Sequence, residues 1–376
     1  YETYTPINDG GHILSIYVND SLGHSTCENF TLITDDSNPT YSNLKQTNPN
    51  PNYNESNTVS ILVSEPLDAS GVDTILLYYR IDSGSWVIVD VTLTSGYTFI
   101  ASQLSYGQEY DWYFWFNDTA GNSDQSPIHS FTVTDTYSPD CISSSQTNPN
   151  PEYNETNTVT VSLSEPIDAS GVDTILLYYR IDSGSWVIVD VTSTGFYTFP
   201  VDQLVYGQIY DWYFWFNDTA GNTDQTVLQS FTIKDSYDPI CDSLSQSSIY
   251  PEYNESNTIN IMVSEPFDAS GVDTILLYYR IDSGSWVIVD VTLTSGYTFI
   301  ADQLSYGQEY DWYFWFNDSA GNYDQTAYNS FFVVDSYNPI ISIISPENNT
   351  ITDGTEIYLE WIGEDFGSGI DLYRVY

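Results

Sequence analysis

The chain is 376 residues long, with 52 acidic against 6 basic side chains and a formal net charge of -46. That balance excludes a nucleic-acid partner, which is bound through clustered Lys and Arg, and argues against docking on anionic lipid. Hydrophobic residues make up 41% and aromatic residues 16%, including 34 Tyr and 10 Trp, too much core-forming material for a disordered acidic tail. No window reaches the roughly 18 uninterrupted apolar residues of a membrane span, so the segment itself inserts in no bilayer. A start at Tyr1, without initiator Met or signal segment, reads as a processed product or a window of a longer chain.

In chain order, Asn19-Asp-Ser-Leu-Gly-His24 followed by Phe30-Thr-Leu-Ile33 reads as the last two strands of a unit spelled out in full further on. Ser-Glu-Pro recurs from Ser64, Ser164 and Ser264, and Gly-Ser-Trp from Gly84, Gly184 and Gly284, a period of 100. The stretch from Asp68 to Thr92 repeats without change from Asp168 and Asp268. A unit of that length is a whole domain rather than a solenoid repeat. The division is therefore 1–37 as the C-terminal half of a domain, 38–137, 138–237 and 238–337 as complete repeats, and 338–376 as the N-terminal half of another. In the second repeat, β-branched and aromatic runs predict strands over 141–145, 159–163, 174–181, 186–191, 197–199, 210–216 and 230–233. Asp182-Ser183-Gly184-Ser185 reads as a hairpin turn. With no helical pattern, the fold class is all-β: tandem seven-stranded antiparallel sandwiches, beads on a string.

The run from Leu104 through Gly107 and Tyr110 to Asn117 resembles the fibronectin type III pattern of Leu, a turn Gly and a Tyr opening the sixth strand. Tyr110 would be its tyrosine corner, and Leu77-Tyr78-Tyr79-Arg80-Ile81 is similar to the third strand. The Asn-Asp-Thr/Ser-Ala-Gly-Asn run is similar to Ig-like repeats of archaeal and bacterial surface proteins. The likeness spans all three units, with Val63, Leu163 and Val263 in place of the family's second-strand Trp, and Tyr106, Tyr206 and Tyr306 in place of its Pro. Pro339 to Tyr376 matches the first three strands, and Trp361 restores the Trp. The end segments read as cut from a longer repetitive chain, the alternative being head-to-tail strand exchange between molecules.

Cys27, Cys141 and Cys241 have no paired spacing, which excludes a disulfide framework or thiolate metal site, and small buried thiols are expected. Catalysis is unsupported, because His12, His24 and His129 recur at no equivalent position, so no nucleophile has a repeating base. The acidic side chains offer more. Loops after the second and sixth strands share one pole of such a sandwich, which gathers Glu165, Asp168 and Asp173 with Asp218, Asn222 and Asp224. The linker residues Asp135 and Asp140 enter there too. Hard oxygen donors concentrated at a domain junction are what Ca2+ takes, against the plainer reading of turns with a solvated acidic surface.

Nine Asn-x-Ser/Thr sequons occur, at Asn19, Asn29, Asn54, Asn117, Asn154, Asn217, Asn254, Asn317 and Asn348. Asn54, Asn154 and Asn254 recur in a loop and are expected to carry N-linked glycans ahead of Asn117, Asn217 and Asn317 at the end of the sixth strand. Alternation sends Tyr78, Arg80, Tyr113 and Trp115 outward, as a self-satisfied sheet face or as a contact for neighbouring chains or glycans, with each Arg paired with an Asp or stacked on Trp. The expected function is non-enzymatic and extracellular: a cell-surface filament, sheath or surface-layer element built from copies of itself. The alternatives are an adhesin stalk and a carbohydrate-binding accessory module.

Overall fold

The computed structural model describes residues 3, 5, 10–354 and 356–376. It is all-β and built of repeated sandwiches. A hairpin of β1 (Gly10–Asn19) and β2 (Ser25–Thr34) comes first. The first sandwich comprises β3 (Thr40–Gln46), β4 (Asn57–Ser64), β5 (Val72–Ile81), β6 (Val87–Asp90), β7 (Gly96–Phe99), β8 (Glu109–Asp118), β9 (Ser123–Gln125) and β10 (His129–Thr132). The second repeats this order as β11 (Asp140–Gln146), β12 (Asn157–Ser164), β13 (Val172–Ile181), β14 (Val187–Asp190), β15 (Phe196–Phe199), β16 (Ile209–Asp218), β17 (Thr223–Gln225) and β18 (Gln229–Thr232). The third has β19 (Ile240–Gln246), β20 (Asn257–Ser264), β21 (Val272–Ile281), β22 (Val287–Asp290), β23 (Gly296–Phe299), β24 (Glu309–Asp318), β25 (Tyr323–Gln325) and β26 (Asn329–Phe332).

Each sandwich packs a three-stranded sheet, ordered β11-β12-β15 in the second, against a five-stranded one in which β13 and β16 are central. The hairpin turn after β13 places Asp182 and Ser183 at positive φ and closes with Gly184 N–H donating to the Ile181 carbonyl at 2.8 Å, a primed turn that suits strand twist. The short strand β17, absent from the sequence reading, pairs with β16 beside β18, because the last strand breaks in two around Thr226.

Strict alternation on β16 drives Tyr210, Trp212, Phe214 and Phe216 into the core, where they meet Val159 from β12, Leu177 from β13 and Phe199 from β15. Losing one such buried aromatic typically costs about 3 to 5 kcal/mol. Tyr210 forms the corner: its Oη donates to the Gln203 carbonyl at 2.5 Å, and burial pushes its phenol up to about 12. The same hydroxyl contact recurs at Tyr110 and Tyr310.

At the far end β27 (Ile340–Ser345) pairs with β28 (Glu360–Glu364), but residues 370–376, expected as a third strand, form none. They lie instead across an open apolar cleft of about 470 Å3 whose walls include Ile341, Trp361 and Tyr373. The cysteines also depart from expectation, since Cys27 and Cys141 are exposed and Cys241 is only half-buried. Cys27 lies on the β1–β2 hairpin, whose side chains are mostly exposed, and Cys141 on β11 at the edge of its three-stranded sheet, whereas Cys241 on the equivalent strand β19 packs against the third core.

Candidate metal centre at the domain junction

Three carboxylates meet where one sandwich hands over to the next. Asp135 sits in the linker just before β11, where its Oδ1 accepts the Tyr137 N–H at 3.0 Å and so turns the chain. Glu165 follows β12 and opens a tight loop closed by Ala169 N–H donating to the Pro166 carbonyl. Asp218 ends β16, and its Oδ1 accepts the Asn222 N–H at 2.8 Å across a turn that needs Gly221 at φ +93. Each of the three offers an oxygen within 4.8 Å of the others. The triad recurs as Asp35, Glu65 and Asp118, and as Asp235, Glu265 and Asp318.

The linker carboxylate is shared between units, because Asp135 Oδ2 also accepts the Ser170 N–H of the following sandwich at 2.9 Å. Asn222 ties the same linker from the other side: its Nδ2 donates to the Asp135 and Tyr137 carbonyls and to Asp218 Oδ2. Ala169 in the loop between them packs against the apolar core of the preceding sandwich, as Ala269 does one unit on. Asp335 repeats the linker half of the arrangement, accepting the Ser368 N–H at 2.7 Å.

Electrostatically the cluster is costly. Asp218 is 1% exposed and Asp135 6%. Arg80, Arg180 and Arg280 are engaged away from the junctions, paired on their sheets with Asp111, Asp211 and Asp311 respectively. Burial, reinforced by the neighbouring Asp218 and Asp135 charges, pushes the Glu165 carboxyl up, and the same causes push Glu265 up to about 7. One oxygen of each, Oε2, is enclosed without a hydrogen-bond partner. Like charges held this close, with acceptor atoms left over, form a donor set of the hard-oxygen kind. The spacing fits: oxygens about 2.4 Å from a Ca2+ ion lie at most about 4.8 Å apart. Three carboxylates supply up to about six of the six to eight oxygens that such an ion takes.

Of the eight residues expected at this pole, Asp135, Glu165 and Asp218 come together and Asn222 supports them as a donor. Asp140 lines the adjoining cleft with Tyr53, Tyr137 and Glu165, close enough for its charge to raise the Glu165 pKa, but lies outside the triad. Asp168 points the other way, accepting from Ser105 Oγ at 3.0 Å and, through its carbonyl, from the Tyr106 N–H of the preceding sandwich. Asp173 accepts from Thr174 Oγ1 on the sheet, and Asp224 from the Gln225 N–H on β17. The sequence reading did not single out Ala169 and Ser170, whose signal was their place in the unvarying Asp-Ala-Ser-Gly stretch.

The other expected residues fall on two surfaces. Asn54, Asn154 and Asn254 are exposed, while Asn117, Asn217 and Asn317 are half-buried. On the outer face of the five-stranded sheet Tyr78 stacks on Tyr113 at 4.9 Å and Trp86 meets Tyr113 edge-on. Arg80 lies 4.7 Å over Trp86 while its guanidinium bonds Asp111, so it is both stacked and paired. Trp115 is half-buried on the same face.

No protein-family model and no curated protein sequence matches the chain. Among solved structures it is similar to the chicken CNTN1 FN1–FN3 domains, at 12% identity and a TM-score of 0.27 over 80% of this chain and 100% of that one. It is also similar to a Ca2+-stabilized adhesin that helps an Antarctic bacterium reach out and bind ice, at 16% identity and a TM-score of 0.32 over 87% of this chain and 82% of that one. At those scores neither likeness says anything of this chain's role.

Proposed function

We propose that this chain is part of an extracellular, non-enzymatic structural protein whose tandem sandwiches are held in line by Ca2+ at each junction. The observation that carries this reading is the triad of Asp135, Glu165 and Asp218, which recurs at three successive handovers and takes one carboxylate from the linker and two from the following sandwich. A cation there neutralises a repulsion the fold otherwise pays for, and fixes the linker to the unit it enters. Calcium sites of extracellular modules work at about 10⁻⁴ to 10⁻³ M, and a site of three carboxylates fits that range.

A rod that spaces or bears load is favoured over a self-assembling filament, sheath or surface layer, or a sugar-stacking module. The groups expected to make lateral or glycan contacts, Tyr78, Arg80 and Tyr113, are packed on one another and on Trp86. Small-angle scattering and calorimetry in Ca2+ and in EGTA test the proposal. The expected result is single extended particles that shorten on average and melt earlier in EGTA; unchanged scattering and an unchanged Tm would refute it.

A further inference from the structure

We infer that Asn54, Asn154 and Asn254 are attachment sites for N-linked oligosaccharide and that Asn117, Asn217 and Asn317, although they carry the same sequon, are not. The inference rests on the extracellular part of the reading above and not on the calcium part.

The first set sits at the tip of a turn that the fold immobilises. In the second sandwich Glu155 N–H donates to the Glu152 carbonyl at 3.0 Å, which places Asn154 at the third position of the turn. Tyr153 before it is buried, so the turn is anchored by its inward neighbour. Behind the turn, Tyr153 N–H donates to the Lys234 carbonyl and Lys234 N–H to the Pro151 carbonyl, pinning it to the end of the sandwich. Tyr53 with Thr134 and Tyr253 with Val334 repeat that anchor. All three residues of each sequon, 54–56, 154–156 and 254–256, are exposed. None of the three Asn carboxamides hydrogen-bonds to another described residue.

The second set is built into the sheet. Asn217 faces Thr174 on β13 and Thr223 on β17, so neighbouring strands flank it on both sides. Its Nδ2 donates to the Asp218 carbonyl at 3.0 Å, as that of Asn117 does to Asp118 at 3.1 Å. The Oδ1 atoms of Asn117, Asn217 and Asn317 are enclosed.

The chemistry separates the two sets. In the transfer, Nδ2 attacks the anomeric carbon of a lipid-pyrophosphate-linked oligosaccharide, a new N–C bond forms, and the sugar–phosphate C–O bond breaks. The lipid pyrophosphate leaves with the bonding pair, and one Nδ2 proton goes to a base of the transferase. Nδ2 must therefore be reachable, and must lose a proton without losing a structural bond. Asn154 meets both conditions, whereas the Nδ2 of the half-buried Asn217 is engaged twice, by the Asp218 carbonyl at 3.0 Å and by Asp173 Oδ2 at 3.5 Å, and cannot lose a proton without losing one of those contacts. Asn54 lines the cleft of about 240 Å3 that Tyr137, Asp140 and Glu165 also line, so a glycan there would overhang the junction without using its carboxylates.

The test is secretion of the full chain from a eukaryotic host, with peptide mapping of the folded product by mass spectrometry. Glycan at Asn54, Asn154 and Asn254, with Asn117, Asn217 and Asn317 unmodified, is expected. The triple variant N54Q/N154Q/N254Q should lose three glycan masses, and N117Q/N217Q/N317Q none. Bare Asn at the first set, or glycan on the second set in folded material, overturns the inference. The Tm difference between Ca2+ and EGTA, read on the same glycosylated material, reports separately on the junctions, so either idea can fail alone.

Discussion

Replacing Asp235 by Asn isolates what the junction cluster does. In the wild type its Oδ2 accepts the Ser270 N–H at 2.8 Å and its Oδ1 the Tyr237 N–H at 3.1 Å. Asn keeps one acceptor and turns an amide against the other donor, which forfeits one charge-assisted bond worth about 1.5 to 3 kcal/mol. Against that, a carboxylate within 4.8 Å of two others is removed. At an effective dielectric of about 20 each such repulsion is about 3.5 kcal/mol, and with Glu265 at a pKa of about 7 only about half of its share applies at neutral pH. The relieved repulsion, about 5 kcal/mol in all, is offset by that bond and by a further cost of about 1 to 3 kcal/mol for the N–H left facing an amide, so the net expectation in EGTA lies between about zero and 3 kcal/mol in favour of the variant. In Ca2+ that advantage is offset. A wild-type site at about one hundred times its Kd gains about 2.7 kcal/mol from the ion, and a variant lacking one of three carboxylates gains little of it. Urea denaturation in EGTA and in about 10 to 100 mM Ca2+, with hydrogen exchange of the peptide around Ser270 to place the effect, reads both numbers. An equal shift of variant and wild type in the two buffers would refute the reasoning, because a purely structural Asp would not care which ion is present.

The raised Glu265 carboxyl gives metal-free protein a characteristic pH profile. A folded pKa of about 7 against an ordinary 4.5 means the folded state holds its proton longer than the unfolded one. Stability should therefore fall as pH climbs from about 4.5 and level off past about 7, by about 1 to 2 kcal/mol after discounting for partial exposure; a flat profile in EGTA between pH 5 and 8 would contradict it. Tyr210→Phe leaves the Gln203 carbonyl without its hydroxyl donor and should cost about 1 to 3 kcal/mol in chemical denaturation, with the Ca2+ response intact. Arg180→Ala removes a guanidinium that pairs with Asp211 and covers Trp186 at 4.7 Å, so a loss of about 1 kcal/mol and a shift in Trp fluorescence are expected, again without change in calcium affinity.

The sandwich was legible because alternation on β16 is unbroken: Tyr210, Trp212, Phe214 and Phe216 fall inside as a period of two requires. The break of the last strand into β17 and β18 was not legible, since three polar residues, Thr223 to Gln225, carry no pattern. For the cluster, topology placed the right loops at one pole, but loop composition could not say which carboxylates turn inward. Asp168 was lost because it bonds the preceding sandwich, and Asp173 because strand alternation turns it outward. Both choices are made by backbone geometry, not by residue type. The thiols were misjudged for a similar reason: Cys141 is small and apolar, but the strand that carries it lies at the edge of its sheet.

The loop that places Ala169 beneath the preceding core also lies next to Glu165 and offers the Ser170 N–H that holds Asp135. Tension applied along the chain would pass from β10 into the linker and meet this grip before it reaches the hydrogen-bond ladder of the next sandwich. On the proposed reading, the junction would act as a spring in series with the sandwiches. With its carboxylates bridged it would transmit force at almost fixed length, and with them bare it would stretch first, letting the protein absorb a pull by slackening at its joints while every sandwich stays folded.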